Sequence, residues 1–193
     1  MSVVYLTGLS GIGKTSLSEK LVQKVNPIRI YRYSEAIREY FQKHKNISYS
    51  TEQLRSLTCK DISQKDITII DRILVDQVLR LRTSVNVIIE SHAVNVNEHG
   101  IRITPFLHDT LKELPCDLVV MLYLDTKELY ERLSKDTENR KKLTTEQIEV
   151  CHALQSALAI QYAMLFGVEV IFLNAKNDID TNADCIVEYI QGF

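Results

Sequence analysis

Near the start of the chain, an apolar run ends in glycines that are followed by a lysine and a threonine. Residues 8–15 read GLSGIGKT and fit the pattern G-x-x-x-x-G-K-[ST]. Such glycines let backbone N–H groups point at phosphate oxygens, the lysine reaches the β and γ phosphates, and the hydroxyl ligates Mg²⁺. A helix that begins here adds the positive end of its dipole. The predicted phosphate-binding residues are Gly8, Ser10, Gly11, Ile12, Gly13, Lys14, Thr15 and Ser16.

The surroundings of this stretch distinguish a phosphate loop from an ordinary glycine-rich turn with an exposed lysine. The apolar run VVYLTG precedes the glycines, and TSLSEKLVQKV, which has helical spacing, follows them. A strand before the pattern and a helix after it are the context that supports phosphate binding. We therefore predict ATP and Mg²⁺ as cofactors.

Two acidic residues stand at the ends of later apolar runs. Glu90 ends NVIIE, and Asp125 ends VVMLYLD. A carboxylate at such a strand end can hold Mg²⁺ through water, and we predict this role for Glu90 together with the hydroxyl of Thr15. Asp125 precedes TKEL and is predicted to cap the next helix. The sequence has no N-K-x-D motif, which argues against a GTPase.

Arginines are the second sign of phosphate chemistry, because phosphoryl transfer needs positive charge on the moving group. Arg132 and Arg140 flank Asp136 in RLSKDTENR. We predict that both are catalytic, on a mobile lid at about 132–145 that keeps water from the phosphates. The alternative is a solvated, charged helix end, which we prefer for the neighbouring lysines.

The elements that would position these residues alternate between short apolar runs and helical patterns. Strands are predicted at 3–8, 27–34, 85–93, 116–125 and 168–175, and helices at 15–25, 35–44, 51–82, 127–136, 145–167 and 183–193. Nearly unbroken apolar strands between helices indicate a doubly wound α/β fold with a parallel sheet of about five strands. Ligands of such sheets bind at the carboxyl ends of the strands.

Composition sets broad limits on the class of protein. The chain has 193 residues and a formal net charge of -2, which predicts one domain and neither nucleic acid nor membrane as its main partner. The four cysteines are widely spaced, without a CxxC pair, and a zinc site is not expected. No long apolar run or leader is apparent, so a cytoplasmic protein is predicted.

The chain resembles the archaeal-type adenylate kinases, which belong to the P-loop nucleoside monophosphate kinases. The resemblance is strongest in VVYLTGLSGIGKTSL, in VIIESHAVNVNEHGIRITPFL and in ALQSALAIQYAMLFGVEVIFLNA. In that family the third strand ends in an acid, threonine and histidine, where this chain has Glu90, Ser91 and His92. A glycine- and proline-bearing loop follows there, as Gly100 and Pro105 do here.

The resemblance implies a single P-loop kinase domain over 1–193 that transfers a phosphoryl group reversibly from Mg·ATP to AMP. It implies a nucleotide-acceptor insertion at about 35–82, and its lid arginines correspond approximately to Arg132 and Arg140. Taken alone, an arginine of the insertion is more typical of a surface residue, and His92 could equally be a hydrogen-bonded structural histidine. The predicted acceptor-binding residues are Ser34, Arg38, Arg55 and His92.

Some positions depart from the family. The lid has one arginine fewer, and Gln155 and Ser156 stand where the family often has Asn-Arg. Losing an arginine beside developing phosphate charge costs a few kcal/mol of transition-state stabilisation. Two alternatives therefore remain: a P-loop kinase with another nucleotide or a small metabolite as acceptor, and a nucleotide-binding regulatory protein with weak catalysis. A homo-oligomer is compatible with the apolar face of residues 150–167.

Overall fold

The computed structural model describes residues 1–50, 53–54, 61–97, 100–135 and 143–192. The strands are β1 (Val3–Thr7), β2 (Ile28–Arg32), β3 (Asn86–Glu90), β4 (Val94–Asn97), β5 (Gly100–Ile103), β6 (Leu118–Tyr123) and β7 (Val170–Asn174). The helices are α1 (Lys14–Lys24), α2 (Tyr33–Lys45), α3 (Gln64–Leu81), α4 (His108–Glu113), α5 (Thr126–Ser134), α6 (Thr145–Phe166) and α7 (Ile179–Gly192).

Five strands form one sheet in the order β2-β3-β1-β6-β7, and every neighbouring pair is parallel. Alternate residues of each strand point to opposite faces. One face packs against α1, the start of α6 and α7, and the other packs against α3, α4 and the end of α6. The predicted doubly wound α/β fold is confirmed. Strand order reverses at β1, so the carboxyl ends of β1, β2 and β3 meet where such folds bind ligands.

The segment between β2 and α4 has a hydrophobic cluster of its own. Tyr40 and Phe41 of α2 pack against Ile67 and Ile70 of α3. Helix α3 begins after Ser63, whose side chain forms a capping box with Asp66. Residues 53 and 54 are also helical but residues 61–63 are not, so the helix predicted at 51–82 is not continuous. Residues 51–52 and 55–60 lie outside the described part of the chain.

Residues 94–103 differ from the sequence-based expectation of a loop. β4 and β5 pair as an antiparallel hairpin, with Val94 opposite Ile103 and Asn97 opposite Gly100. The signal was present in the alternation of VNVN and GIRI around a polar segment. The loop at Gly100 and Pro105 was implied by the family resemblance, whereas the structure makes Gly100 the first residue of β5.

His152 on α6 is a structural histidine. Its Nε2 accepts a hydrogen bond from the backbone N–H of Leu124 at 3.4 Å. Burial lowers the pKa of the imidazole, because the charged form is poorly solvated there.

We expect the free energy of unfolding to decrease as the pH falls below the ordinary histidine pKa of about 6.5. The pKa of His152 is lower in the folded state, so as the pH falls the unfolded chain binds a proton before the folded protein does. The contribution of His152 to the free energy of unfolding is therefore complete only above a pH of about 6.5. Denaturant unfolding between pH 5 and 8 measures this slope, which one group limits to about 1.4 kcal/mol per pH unit. His152→Gln should flatten the slope, and an unchanged slope in that variant would contradict the assignment to His152.

Among the helices of the described ranges, none has both the length and the apolar character needed to cross a membrane.

Candidate active site

The phosphate loop, residues 8–15, connects β1 to α1. Gly8 and Gly13 have φ values of 144° and 109°, which L residues rarely adopt. At Gly8 a Cβ atom would lie 2.8 Å from the carbonyl oxygen of Leu122, so this position needs glycine twice over. The buried side chains of Leu9 and Ile12 anchor the loop in the core. Packing of these two side chains therefore fixes the loop against the core.

Lys14 is the first residue of α1, and its ammonium group turns back across the loop. Nζ donates hydrogen bonds to the carbonyl oxygens of Gly8 at 2.7 Å and Leu9 at 2.9 Å. These contacts hold the positive charge at the mouth of the loop. A bound phosphate chain would meet the loop N–H groups, the end of α1 and Lys14 together.

The loop opens into a cleft of about 690 Å³ at the carboxyl ends of β1, β2 and β3. Among the predicted site residues, those that line this cleft are Ser10, Gly11, Gly13, Lys14, Thr15, Ser16, Ser34, Arg38, Glu90 and His92. Gly8 and Ile12 shape the loop from behind. The structure thus brings the predicted phosphate, metal and acceptor residues together in one cavity.

Glu90 lies at the floor of the cleft, and its side chain is only 7% exposed. Its Oε2 accepts a hydrogen bond from Thr15 Oγ1 at 3.2 Å, and its Oε1 accepts one from the buried Ser18 hydroxyl. A hydroxyl and a carboxylate oxygen are ligand types that Mg²⁺ prefers. The pair fits a Mg²⁺ site completed by nucleotide phosphates and water. Within the described residues, no group of three or more His, Cys, Asp or Glu side chains is arranged to hold a metal ion.

The acceptor side of the cleft is formed by the start of α2 and by the β4–β5 hairpin. Ser34 and Arg38 come from α2, and His92 follows β3 with its Nε2 3.0 Å from Asn95 Oδ1. The hairpin adds Asn95, Asn97 and Arg102 to the cleft wall, none of which the sequence analysis had singled out. Arg55 lies outside the described residues.

A buried carboxylate supports this wall from behind. Asp71 of α3 is 1% exposed and accepts hydrogen bonds from the hydroxyls of Tyr33 and Thr110. Burial raises its pKa although the hydrogen bonds oppose the shift. Tyr33 in turn contacts Phe106 edge-on, with ring centroids 5.5 Å apart. The network joins α2, α3 and α4, and it therefore holds the start of α2 in place beside the cleft.

Gln155 explains one departure from the resembled family. It is fully buried on α6, where its Nε2 donates to Thr7 Oγ1 at 3.0 Å. Its Oε1 accepts from the backbone N–H groups of Ala93 and Val94, both at 3.1 Å. The amide therefore ties β1 to the start of the hairpin, and it does not line the cleft. Gln155, which stands at the first position of the family's Asn-Arg pair, therefore has a structural role in this protein.

Arg132 lies on α5, away from the other predicted site residues. Its Nη2 donates to the carbonyl oxygen of Ala175, just after β7, at 3.3 Å, and it is not among the described residues that line the cleft. Arg140 and residues 136–142 as a whole lie outside the described part of the chain. Asp125 accepts hydrogen bonds from the N–H groups of Lys127 and Glu128, which confirms its predicted role as a helix cap.

Comparison with known proteins connects this cleft to a family. Residues 7–149, more than half of the 193 residues, match the family described as AAA domain (AAA_17). The chain belongs to this AAA domain family. The matched range of the AAA domain begins at the end of β1 and includes the phosphate loop, Glu90 and the hairpin, so it contains most of the described cleft.

Two relatives that the chain matches over most of its length are named adenylate kinases. It is 26% identical over 184 residues to an adenylate kinase of Methanothermobacter thermautotrophicus, covering 94% of this chain and 95% of the relative. It is 26% identical over 187 residues to an adenylate kinase of Methanococcus vannielii, covering 94% of each. These relatives confirm the predicted resemblance to archaeal-type adenylate kinases and the predicted class of ATP-dependent phosphotransferase.

A solved structure supports the fold of the AAA domain independently. The shikimate kinase of Aquifex aeolicus superposes with a TM-score of 0.59 at 16% identity, covering 98% of this chain and 96% of that protein. At this identity the likeness concerns the fold alone. It confirms a parallel sheet of the P-loop kinase type.

Proposed function

We propose that the protein is a nucleoside monophosphate kinase that transfers a phosphoryl group reversibly from Mg·ATP to AMP and produces two ADP. The observation that carries the proposal is that the phosphate loop, Glu90 and the acceptor-side residues Ser34, Arg38 and His92 line one continuous cleft. Two phosphorylated substrates can therefore bind side by side, as direct transfer between them requires.

In the proposed reaction, a phosphate oxygen of AMP attacks the γ-phosphorus in line. A new P–O bond forms as the bond to the β–γ bridging oxygen breaks, and the electron pair stays on ADP. Lys14 and the loop N–H groups hold the departing phosphates, while Thr15 and Glu90 would hold Mg²⁺. When bound, the ion would neutralise negative charge on the phosphates. Arg38 would neutralise the acceptor phosphate.

The proposed arrangement assigns acceptor binding to residues 35–82 and closure over ATP to a lid at 132–145, within one domain. Closure would bring Arg140 toward the phosphates, and Arg132 would have to leave the carbonyl oxygen of Ala175 to join it. An exposed hydrogen bond of this kind is inexpensive to exchange. We place this activity in the cytoplasm, with nucleotides as the ligands.

The decisive experiment is a coupled assay of ADP formation from Mg·ATP, with AMP, CMP, UMP and GMP as separate acceptors. We expect turnover with AMP to exceed the rate without acceptor by several orders of magnitude. Faster turnover with another nucleotide would keep the mechanism and change the acceptor. No turnover with any of them, alongside ATP-dependent thermal stabilisation, would favour the regulatory alternative. The position of Arg132 outside the cleft is the observation that keeps that alternative open.

A further inference from the structure

Arg32 is a cleft residue that the sequence analysis did not consider. It is the last residue of β2, and the parallel register places it directly opposite Glu90 of β3. Its Nε lies 3.4 Å from Glu90 Oε1. The guanidinium group therefore stands between the predicted Mg²⁺ ligands and the acceptor side of the cleft.

On its solvent-facing side, Arg32 forms only weak ion pairs. Glu19 and Glu35 lie 3.6 Å and 3.7 Å from its terminal nitrogens, and their side chains are 63% and 48% exposed. Glu35 is also 4.0 Å from Arg38. Exposed ion pairs of this kind contribute about 0–1 kcal/mol. Their exchange for a better anion would therefore cost little.

On its buried side, the guanidinium group of Arg32 has a hydrogen-bond donor without an acceptor. Within the described part of the chain, the buried Nε atoms of Arg32 and Arg38 donate no hydrogen bond. Glu90 is within ion-pair distance of Arg32 but does not accept a hydrogen bond from it. A buried charged donor without an acceptor is unfavourable. Both arginines line the cleft, and such donors are suited to phosphate oxygens.

The two carboxylate oxygens of Glu90 face different partners. Oε2 already accepts from Thr15, and Oε1 faces Arg32. A carboxylate that turned toward Mg²⁺ would give up part of its interaction with the guanidinium group, and the ion would repel that group. Arg32 then gains by moving toward an anion on the acceptor side.

We propose that Arg32 is a phosphate-binding residue for the acceptor, paired with Glu90 until Mg·ATP binds and then with the acceptor phosphate. This inference rests on the proposed function, because it assumes a phosphorylated acceptor beside Mg·ATP. It makes the two binding events coupled: Mg·ATP releases Arg32, and the released arginine raises the affinity for the acceptor.

Calorimetric titration of Arg32→Gln tests the inference with a signature that a structural role would not produce. The ligands are AMP, adenosine and the Mg²⁺ complex of a non-hydrolysable ATP analogue. With the analogue bound, AMP affinity should fall roughly 10- to 100-fold, the range for losing a charged hydrogen-bonding partner. Adenosine affinity should not change, because adenosine lacks the phosphate. Affinity for the Mg²⁺ analogue should rise roughly two- to tenfold, because Glu90 loses its competing cation.

Arg29→Gln is the matched control, since Arg29 is an exposed residue of the same strand outside the cleft, and it should leave all three affinities unchanged. Arg32→Lys should recover part of the AMP affinity, because it restores the charge without the guanidinium fork. Unchanged AMP affinity in Arg32→Gln, or analogue affinity that stays the same or weakens, would overturn the inference.

Failure of the proposed function would look different. The wild-type protein would then bind the analogue but not AMP, and Arg32→Gln would still bind the analogue more tightly.

Discussion

Replacing Lys14 with alanine is expected to lower kcat/KM for ADP formation by roughly 10²–10³-fold, or about 3–4 kcal/mol of transition-state stabilisation. The ammonium group lies at the mouth of the phosphate loop, held there by the carbonyl oxygens of Gly8 and Leu9. No other lysine lines the described part of the cleft, so no neighbouring lysine can take over its charge. Steady-state kinetics with Mg·ATP and the preferred acceptor measure the loss.

Lys20→Ala is the matched control for this variant. Lys20 lies on the same helix, but its ammonium group pairs with Asp180, at 3.0 Å, rather than with the loop. Its removal should change turnover by less than about twofold, because exposed ion pairs contribute little. Thermal unfolding of both variants should resemble the wild type. Undiminished turnover in Lys14→Ala would refute the assignment of Lys14 to the phosphates.

Replacing Glu90 with glutamine is expected to raise the Mg²⁺ concentration for half-maximal activity by roughly 10- to 100-fold, the range for losing a supporting group of a metal site. Glutamine keeps the size of the side chain and removes its charge, so the site loses its attraction for the cation. The Thr15 hydroxyl, which now donates to Glu90 Oε2 at 3.2 Å, would remain beside a neutral amide. Initial rates over a range of Mg²⁺ concentrations at fixed ATP give the shift.

Glu113→Gln provides the comparison, because Glu113 forms an exposed ion pair with Arg72 away from the cleft. It should leave the Mg²⁺ requirement unchanged. If Glu90→Gln lowers the melting temperature while the Mg²⁺ requirement stays at the wild-type value, Glu90 is a structural partner of Ser18 and Arg32 rather than part of a metal site.

Much of the fold follows from local pattern. The central strands β1, β3 and β6 are almost fully buried, and they were predictable because a sheet covered on both faces needs nearly continuous apolar runs. The phosphate loop was predictable because a single chemical task requires glycines, a lysine and a hydroxyl at fixed spacing. The hairpin at 94–103 was missed because its strands are short and half polar, which gives a weak local signal.

The amino-acid sequence by itself determined the phosphate loop, the order along the chain of the five strands of the parallel sheet, and the acidic residue at the end of β3. Each depends on residues close together in the chain. The tertiary structure decided that Arg32 faces Glu90, which lies 58 residues later, because that contact depends on the register of β2 against β3. It also decided that Gln155 is a buried joint to Thr7, 148 residues away. Such contacts arise only when distant segments pack together, because packing fixes where each side chain points.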